Sequence, residues 1–435
     1  MGSTSQKTIE VGILLADSVS FQLEGNFGRY SGSYEVSLKE NRLFFEGMLY
    51  DTLCFAPDSQ ACSFVLNDVV IGIDFHWERK EDERFKGTLR FIPEKGKVRA
   101  INSLSVEDYL ISVIASEMSA TSTPEYLKAH AVISRSWLLS QIEKKHDLQK
   151  QEAVRFNSDL RTPDEWIKWW DREDHDLFDV CADDHCQRYQ GITRPSLAFE
   201  SVKKAVEGTR GEVLTSGGTI CDARFSKCCG GFMETFPTSW EPVEYSYLRG
   251  NYDGESFPED IPVPDLTQPV QAEVWIRSEP PAFCNTADET VLSQVLNSYD
   301  RETKSFYRWK VKYTFEEVSD LVRRRIGEDF GLITDLIPVE RGKSGRICRL
   351  KIVGTHKALV IGKDLLIRKA LSESHLYSSA FVVEKNSKGF TLFGAGWGHG
   401  VGFCQIGGAV MASKGYPYKD ILKHYFPTAG IEKIY

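Results

Sequence analysis

Residues 105–120, "SVEDYLISVIASEMSA", and 121–139, "TSTPEYLKAHAVISRSWLL", decide how the chain is read. Ser105 with Asp108 has the form of a helix N-cap, and Leu104, Tyr109, Leu110, Val113 and Ile114 recur at helical spacing to give one apolar face. The pattern predicts a helix that ends near Glu117. A second helix is expected from Thr123 as N-cap, with Pro124 at the first helical position, where its missing N–H costs nothing. Its Lys128 and Arg135 share one face, about 10 Å apart along the axis. A hairpin-like corner would turn that face toward Glu117. At a helix C-terminus the dipole favours a protonated carboxyl, while a nearby Lys or Arg pulls the other way, so a glutamate held in that balance suits general acid chemistry. The same pattern also fits an ordinary acid at a helix end in a surface ion pair.

Outward from this corner the fold class reads as α+β. Residues 1–100 form a β-rich opening, with "TIEVGILL", "YEVSLKENRLFFEG" and "FKGTLRFIPEKGKVRAINSL" showing alternation and Gly or Asn turns. Residues 101–435 read as one further region. It holds an irregular stretch over 150–190, a helix in "SLAFESVKKAVEGT", a Pro-, Gly- and acid-rich linker or surface excursion at about 242–275, a strand then a helix from about 304, and two short helices in the last forty residues.

Composition excludes several classes. A hydrophobic fraction of 41% allows sizeable cores, and a formal net charge of −9 with interleaved lysines and arginines speaks against nucleic acid as a partner. No apolar run approaches the roughly 20 residues of a bilayer span. The start, "MGSTSQKTIEVGILL", has no basic n-region followed by a long apolar run. "MGST" reads as an added leader where a signal or lipoprotein peptide was removed, so the missing signal does not fix a compartment.

Two further stretches carry candidate chemistry. "HDLFDVCADDHC" gathers His175, Cys181, His185 and Cys186 on an irregular loop, a donor set that suits tetrahedral zinc; a Cys181–Cys186 disulfide or two unpaired thiols fit the same spacing. A fourth ligand could be water, His185 or Cys228. Cys221, Cys228 and Cys229 read otherwise as simply buried, and Cys54, Cys62, Cys284, Cys348 and Cys404 as standing alone. "FGAGWGHGVGFCQIGG" sets Gly394, Gly396, Gly398, Gly400 and Gly402 at every second position, an edge bare of side chains that a backbone or a flat sugar ring can approach. His399 reads evenly as a substrate or Glu117-orienting hydrogen-bonder and as a packing element, and Trp397 as core or sugar-stacking.

The quoted stretch at 101–139 resembles the signature of the SpoIID/LytB family, with its "EDYL", "SEM" and "LKAQA" elements. "AVEGTRGEVLTSGGTICDARFSKCCGGFMETFPTSW" and "GAGWGHGVGFCQIGGAVMASKGYPYKDILKHYFPTAGI" are similar to two further stretches of that family, and the likeness spans about 100 to 435. The resemblance implies a peptidoglycan lytic transglycosylase, with Glu117 as catalytic acid and base, Lys128 and Arg135 in the site, and an active-site cleft lined by the glycine-rich C-terminal loop. It further implies that glycan strands are the partner, with other wall hydrolases as possible further partners. Substrate contacts are expected from Gly230, Gly231, Glu234, Trp397 and His399. Zinc, structural more than catalytic, is implied at His175, Cys181 and Cys186, and an extracytoplasmic place in the periplasm or cell envelope. Lys227, Cys228 and Cys229 stand where the family has "STS", Met233 stands for its Thr, and Arg224 for its Tyr, which puts the contacts of that loop in doubt. Two other functions remain open: a non-catalytic wall-binding protein that stimulates an amidase, and a zinc-dependent hydrolase centred on His175.

Overall fold

The computed structural model describes residues 7–72, 78–119, 122–150, 156–170, 175–183, 186–192, 197–257, 259, 262–295 and 305–435. His185 lies outside the described residues. The fold is α+β, as the alternation and helical periods predict. The described residues carry nine α-helices: α1 (Val106–Glu117), α2 (Pro124–Gln149), α3 (Leu197–Gly208), α4 (Pro269–Arg277), α5 (Glu289–Val295), α6 (Phe315–Ile326), α7 (Asp364–Ala370), α8 (Gln405–Ser413) and α9 (Tyr418–Tyr425). No helix among them is long and apolar enough to cross a membrane.

The chain divides into two compact units. The first holds residues 1–131, 172–212 and 433–435, and the second holds 132–171 and 213–432. The β-rich opening shares its unit with α1 and the first turns of α2.

In the first unit a six-stranded antiparallel sheet runs Met48–Tyr50, Arg42–Phe45, Tyr30–Lys39, Ser18–Phe27, Ser63–Ile71, Arg79–Phe85. A five-stranded sheet runs Val180–Cys181, Thr8–Ala16, Lys97–Ser105, Thr88–Glu94, Leu53–Phe55. Alternation explains the core: Val19, Phe21 and Leu23 point inward from one strand, and the Phe21 ring meets Phe55 and Phe91 of the other sheet at centroid distances of 5.3 and 5.0 Å. Strand Lys97–Ser105 runs directly into α1, whose first turn is closed by the Asp108 N–H donating to Ser105 Oγ at 3.1 Å.

The second unit is built on a sheet ordered Asp159–Arg161, Glu165–Lys168, Ala358–Gly362, Ile347–Gly354, Ile333–Arg341. Thus the irregular stretch after 150 supplies two of its strands. Val318 and Val322 of α6 and Leu366 and Ile367 of α7 pack with Leu350, Ile352 and Ile361 of the sheet. A capping box between Thr314 and Glu317 starts α6, and Gly327 at φ 72° ends it. The acid- and proline-rich run at 242–275 is only partly a surface excursion. Val263 is exposed, whereas Leu248, Asp253 and Leu266 are buried, because the run returns to pack under the 228–234 segment.

Candidate functional site

The first unit carries Glu117, Lys128 and the His/Cys loop. Helix α1 ends on Glu117, since the N–H of Met118 closes the last turn on Ile114 O at 2.8 Å while Met118 itself is extended. The half-buried Glu117 carboxylate therefore stands at the negative end of the helix dipole. Lys128, on the second turn of α2, donates to Glu125 Oε1 at 2.7 Å, with about a third of each side chain exposed. Arg135, further along α2, is wholly buried.

The structure brings His175, Cys181 and Cys186 together. Their ligand atoms lie within 4.8 Å of one another, all three are half-buried, and neither thiol is in a disulfide. The loop is tied down on both sides. Val180 and Cys181 pair in parallel with Val11 and Gly12, and Phe178 fills the space that a Cβ at Gly12 would need. After Cys186 the chain places Tyr189 between Phe85 and Tyr109 of α1 (centroids at 5.7 and 5.2 Å), and the Gln190 N–H donates to Ser116 Oγ at 3.3 Å. The His/Cys loop is thus fastened to the residue preceding Glu117.

In the second unit the two motifs that hold Gly230, Gly231, Glu234, Trp397 and His399 are zipped together. Cys228 pairs with Trp397 and Glu234 with Val401. The glycine alternation does not make a straight bare edge, because Gly396, Gly398, Gly400 and Gly402 all take positive φ. The segment winds instead around one side chain, Arg346. Its Nε and Nη2 donate to Gly398 O at 3.1 and 3.0 Å, and its Nη1 donates to Cys229 O at 3.0 Å. A Cβ at Gly400 would sit 2.4 Å from Arg346 Cζ, so glycine is required there by space as well as by its φ of +75°.

Glu234 is wholly buried and its carboxylate is fully used. It accepts from the N–H groups of Thr235, Lys343 and Ser344 at 2.7, 2.9 and 3.0 Å and from Ser344 Oγ at 2.7 Å. This geometry makes Glu234 a holder of the 343–344 turn. Gly230 and Gly231 are likewise buried, the first against Gly396 and the second against Trp275 and Tyr307. Trp397 is half-buried between Phe306 and Tyr377, with centroids at 4.8 and 4.6 Å.

His399 is the polar side chain that remains partly open on this segment. Its Nδ1 accepts the Val401 N–H at 3.0 Å, which leaves the proton on Nε2, and Trp240 meets the ring edge-on at 4.9 Å. Burial, opposed by Asp364 and reinforced by Arg224, Arg346 and Arg368, pushes its pKa down to about 3, so the imidazole is neutral.

Two stretches of the chain match known families. Residues 94–216, which contain Glu117, Lys128, Arg135 and the His/Cys loop, match the stage II sporulation protein family SpoIID, and residues 234–402, from Glu234 to the last alternating glycine, match a domain of unknown function (DUF8618). Stage II sporulation protein D of Bacillus subtilis is 23% identical over 77% of this chain and 76% of its own length. The amidase enhancer of the same organism is 23% identical over 52% of this chain and 32% of its own length. An uncharacterized protein of Brachyspira hyodysenteriae is 25% identical over 94% of this chain and 88% of its own. These matches support the resemblance to the SpoIID/LytB family, carried by residues 94–216.

The sequence alone did not point to Arg346 and Ser344. "SGRIC" was legible as part of the resemblance, but an arginine fifty residues before the glycines gives no local sign that they wrap it. The signal that could have found it is the glycine pattern itself, since a bulky buried side chain is a common reason for glycines to recur on one wall.

Proposed function

We propose that the protein is a lytic transglycosylase of peptidoglycan that cleaves the MurNAc–GlcNAc bond with Glu117 as its single acid and base. The observation that carries this reading is the termination of α1 on Glu117, with a half-buried carboxyl at the C-terminal end of the helix, inside the segment that matches SpoIID. Glu117 in its protonated form gives its proton to the glycosidic oxygen as the C1–O bond breaks. The resulting carboxylate takes the proton of the C6 hydroxyl of the same MurNAc residue as that oxygen bonds to C1. No water is consumed, and the product ends in 1,6-anhydro-MurNAc. A hydrolase of the usual kind would need a second carboxylate for water or for a covalent intermediate.

His175, Cys181 and Cys186 fit a zinc ion by donor chemistry and by proximity, with a fourth position left to water or a further residue. Zinc there would supply a rigid cross-link; the protein's own bonds from Tyr189 and Gln190 to Asn102 and Ser116 carry that rigidity to the end of α1. His399 and Trp397 are the candidates for glycan contact, through the neutral Nε2–H and the indole. The reading places the protein outside the cytoplasm, where its substrate is. Digestion of intact and peptide-stripped glycan strands, with mass spectrometry of the ends, tests it: anhydro ends support it, and reducing ends or no release count against it.

The match to an amidase enhancer favours a second reading, a wall-binding protein that stimulates an amidase without cleaving glycan. It requires stimulation of a purified amidase that survives loss of Glu117.

A further inference from the structure

Four ligand atoms converge in the interior of the second unit, apart from the His/Cys loop. They belong to Cys229, Asp253, Cys284 and Cys404, every one of these residues is at most 2% exposed, and the atoms lie within 4.8 Å of one another. They arrive from four separate stretches of chain. The Cys229 and Cys284 sulfurs are 3.5 Å apart, and Cys229 Sγ is 3.3 Å from Asp253 Oδ2. The Cys228 thiol adjoins those of Cys284 and Cys404. All of these cysteines are unbridged. We propose that Cys229, Cys284, Cys404 and Asp253 form a second metal centre that binds one thiophilic divalent cation, zinc by preference.

The donor set is right for that class of ion. Three sulfurs and a carboxylate oxygen are soft-to-borderline ligands, and Zn–S bonds of about 2.3 Å put tetrahedral sulfurs about 3.8 Å apart, close to the spacing found. The same closeness leaves room for one ion and none for a multi-iron cluster, in which each iron takes its own thiolate. A disulfide between Cys229 and Cys284 would leave Cys404 and the buried carboxylate unexplained, whereas one cation engages all four. Burying a carboxylate without a cation is costly.

The surroundings orient the ligands as outer-shell partners do. Tyr425 Oη donates to Asp253 Oδ1 at 2.8 Å, with His424 Nε2 at 3.5 Å from the same oxygen, and this turns Oδ2 toward the sulfurs. The Cys229 N–H donates to Cys404 Sγ at 3.2 Å, and the Cys284 N–H donates to Asp253 Oδ2 at 3.1 Å. Gly407 leaves the space that Tyr425 Oη and the Asp253 carboxylate occupy, since a Cβ there would lie 2.3 Å from the hydroxyl. The centre would staple the 228–234 segment, the 253 and 284 loops and the start of α8.

The test is a zinc count by native mass spectrometry on the full chain, prepared reduced and without chelator, as wild type and as the double variant Cys181→Ser, Cys186→Ser. The proposal expects one zinc to remain in the double variant, with an X-ray absorption shell of three sulfurs and one oxygen. Two zincs in the wild type mean that both sites fill. One in each chain means that only the interior site fills, which upholds this proposal and removes zinc from the His/Cys loop. Tyr425→Phe in the double variant should weaken zinc about 10- to 100-fold in competition with a chelator. Should the double variant not fold, the wild-type absorption shell decides, because a shell of two sulfurs and a nitrogen alone contradicts the proposal. No zinc in a folded double variant, or a Cys229–Cys284 disulfide at full yield in the reduced preparation, overturns it.

Discussion

Glu234 and Arg346 meet through a single hydroxyl. Arg346 Nη1 donates to Ser344 Oγ at 2.9 Å, and Ser344 Oγ donates to Glu234 Oε2 at 2.7 Å, with all three side chains buried. The two charges compensate one another at one remove, while Glu234 also accepts from the backbone of the 343–344 turn and Arg346 also donates to backbone carbonyls of both glycine-containing motifs. Loss of either leaves the other buried and unpaired. Glu234→Ala and Arg346→Met should each lower the unfolding free energy by about 3–5 kcal/mol in urea titration. Ser344→Ala should cost about 1–3 kcal/mol, as the loss of a buried hydrogen-bonding link does. Wild-type stability in Glu234→Ala would dismiss the pairing.

Gly400 separates space from backbone strain. Gly400→Ala meets the Arg346 guanidinium and also takes an unfavourable φ, whereas Gly415→Ala has a φ of +90° with open space around it. The first should cost about 2–4 kcal/mol and the second about 1–2 kcal/mol, read as midpoint shifts in chemical unfolding. Equal costs would mean that Arg346 does not fill the space.

The neutral His399 gives stability a pH dependence of defined sign. The unfolded histidine takes up a proton near pH 6.5, while the folded one does so only at about 3. Stability is unaffected by this group above about pH 6.5, falls as pH drops from there toward 3, and levels off below. The slope from one such group is about 1.4 kcal/mol per pH unit. His399→Asn, which keeps an acceptor for the Val401 N–H, should flatten the fall between pH 6 and pH 4 by that amount. An unchanged slope would show that His399 is protonated in the folded chain.

Metal removal should be felt at the end of α1. Stripping the His/Cys loop with a chelator, or Cys186→Ser, should speed amide exchange at Gln190, whose N–H reaches Ser116, while amides in the Phe21, Phe55 and Phe91 core keep their rates. Exchange at Gln190 that ignores the metal would detach the loop from Glu117.

Helices α1 and α2 were legible because their signals are local: Ser105, Pro124 and the apolar spacing lie within the elements that they start or stop. The approach of His175 to Cys181 and Cys186 was legible for the same reason, being spread over a dozen residues. The interior cysteines were not. Cys284 and Cys404 read as solitary, since their neighbours are brought up by loops 55 and 175 residues from Cys229. The glycine segment gave its need for close approach but not the identity of what approaches, because Arg346 comes from a distant loop, just before the strand Ile347–Gly354. Glu234 read as a substrate contact when its partners were the backbone of a distant turn. Non-local convergence leaves no periodicity in a sequence.

The most direct test of the account is the fate of glycan strands treated with Glu117→Gln beside wild type, with products identified by mass spectrometry and the fold of both proteins checked by thermal melting. Glutamine keeps the size of the side chain and its hydrogen-bonding reach but has no proton to give and none to take back. The account predicts anhydro-MurNAc ends from wild type, their loss by at least about 100-fold from Glu117→Gln, consistent with removal of a general acid, and melting temperatures that agree. Anhydro ends released at the wild-type rate by a folded Glu117→Gln protein would contradict it.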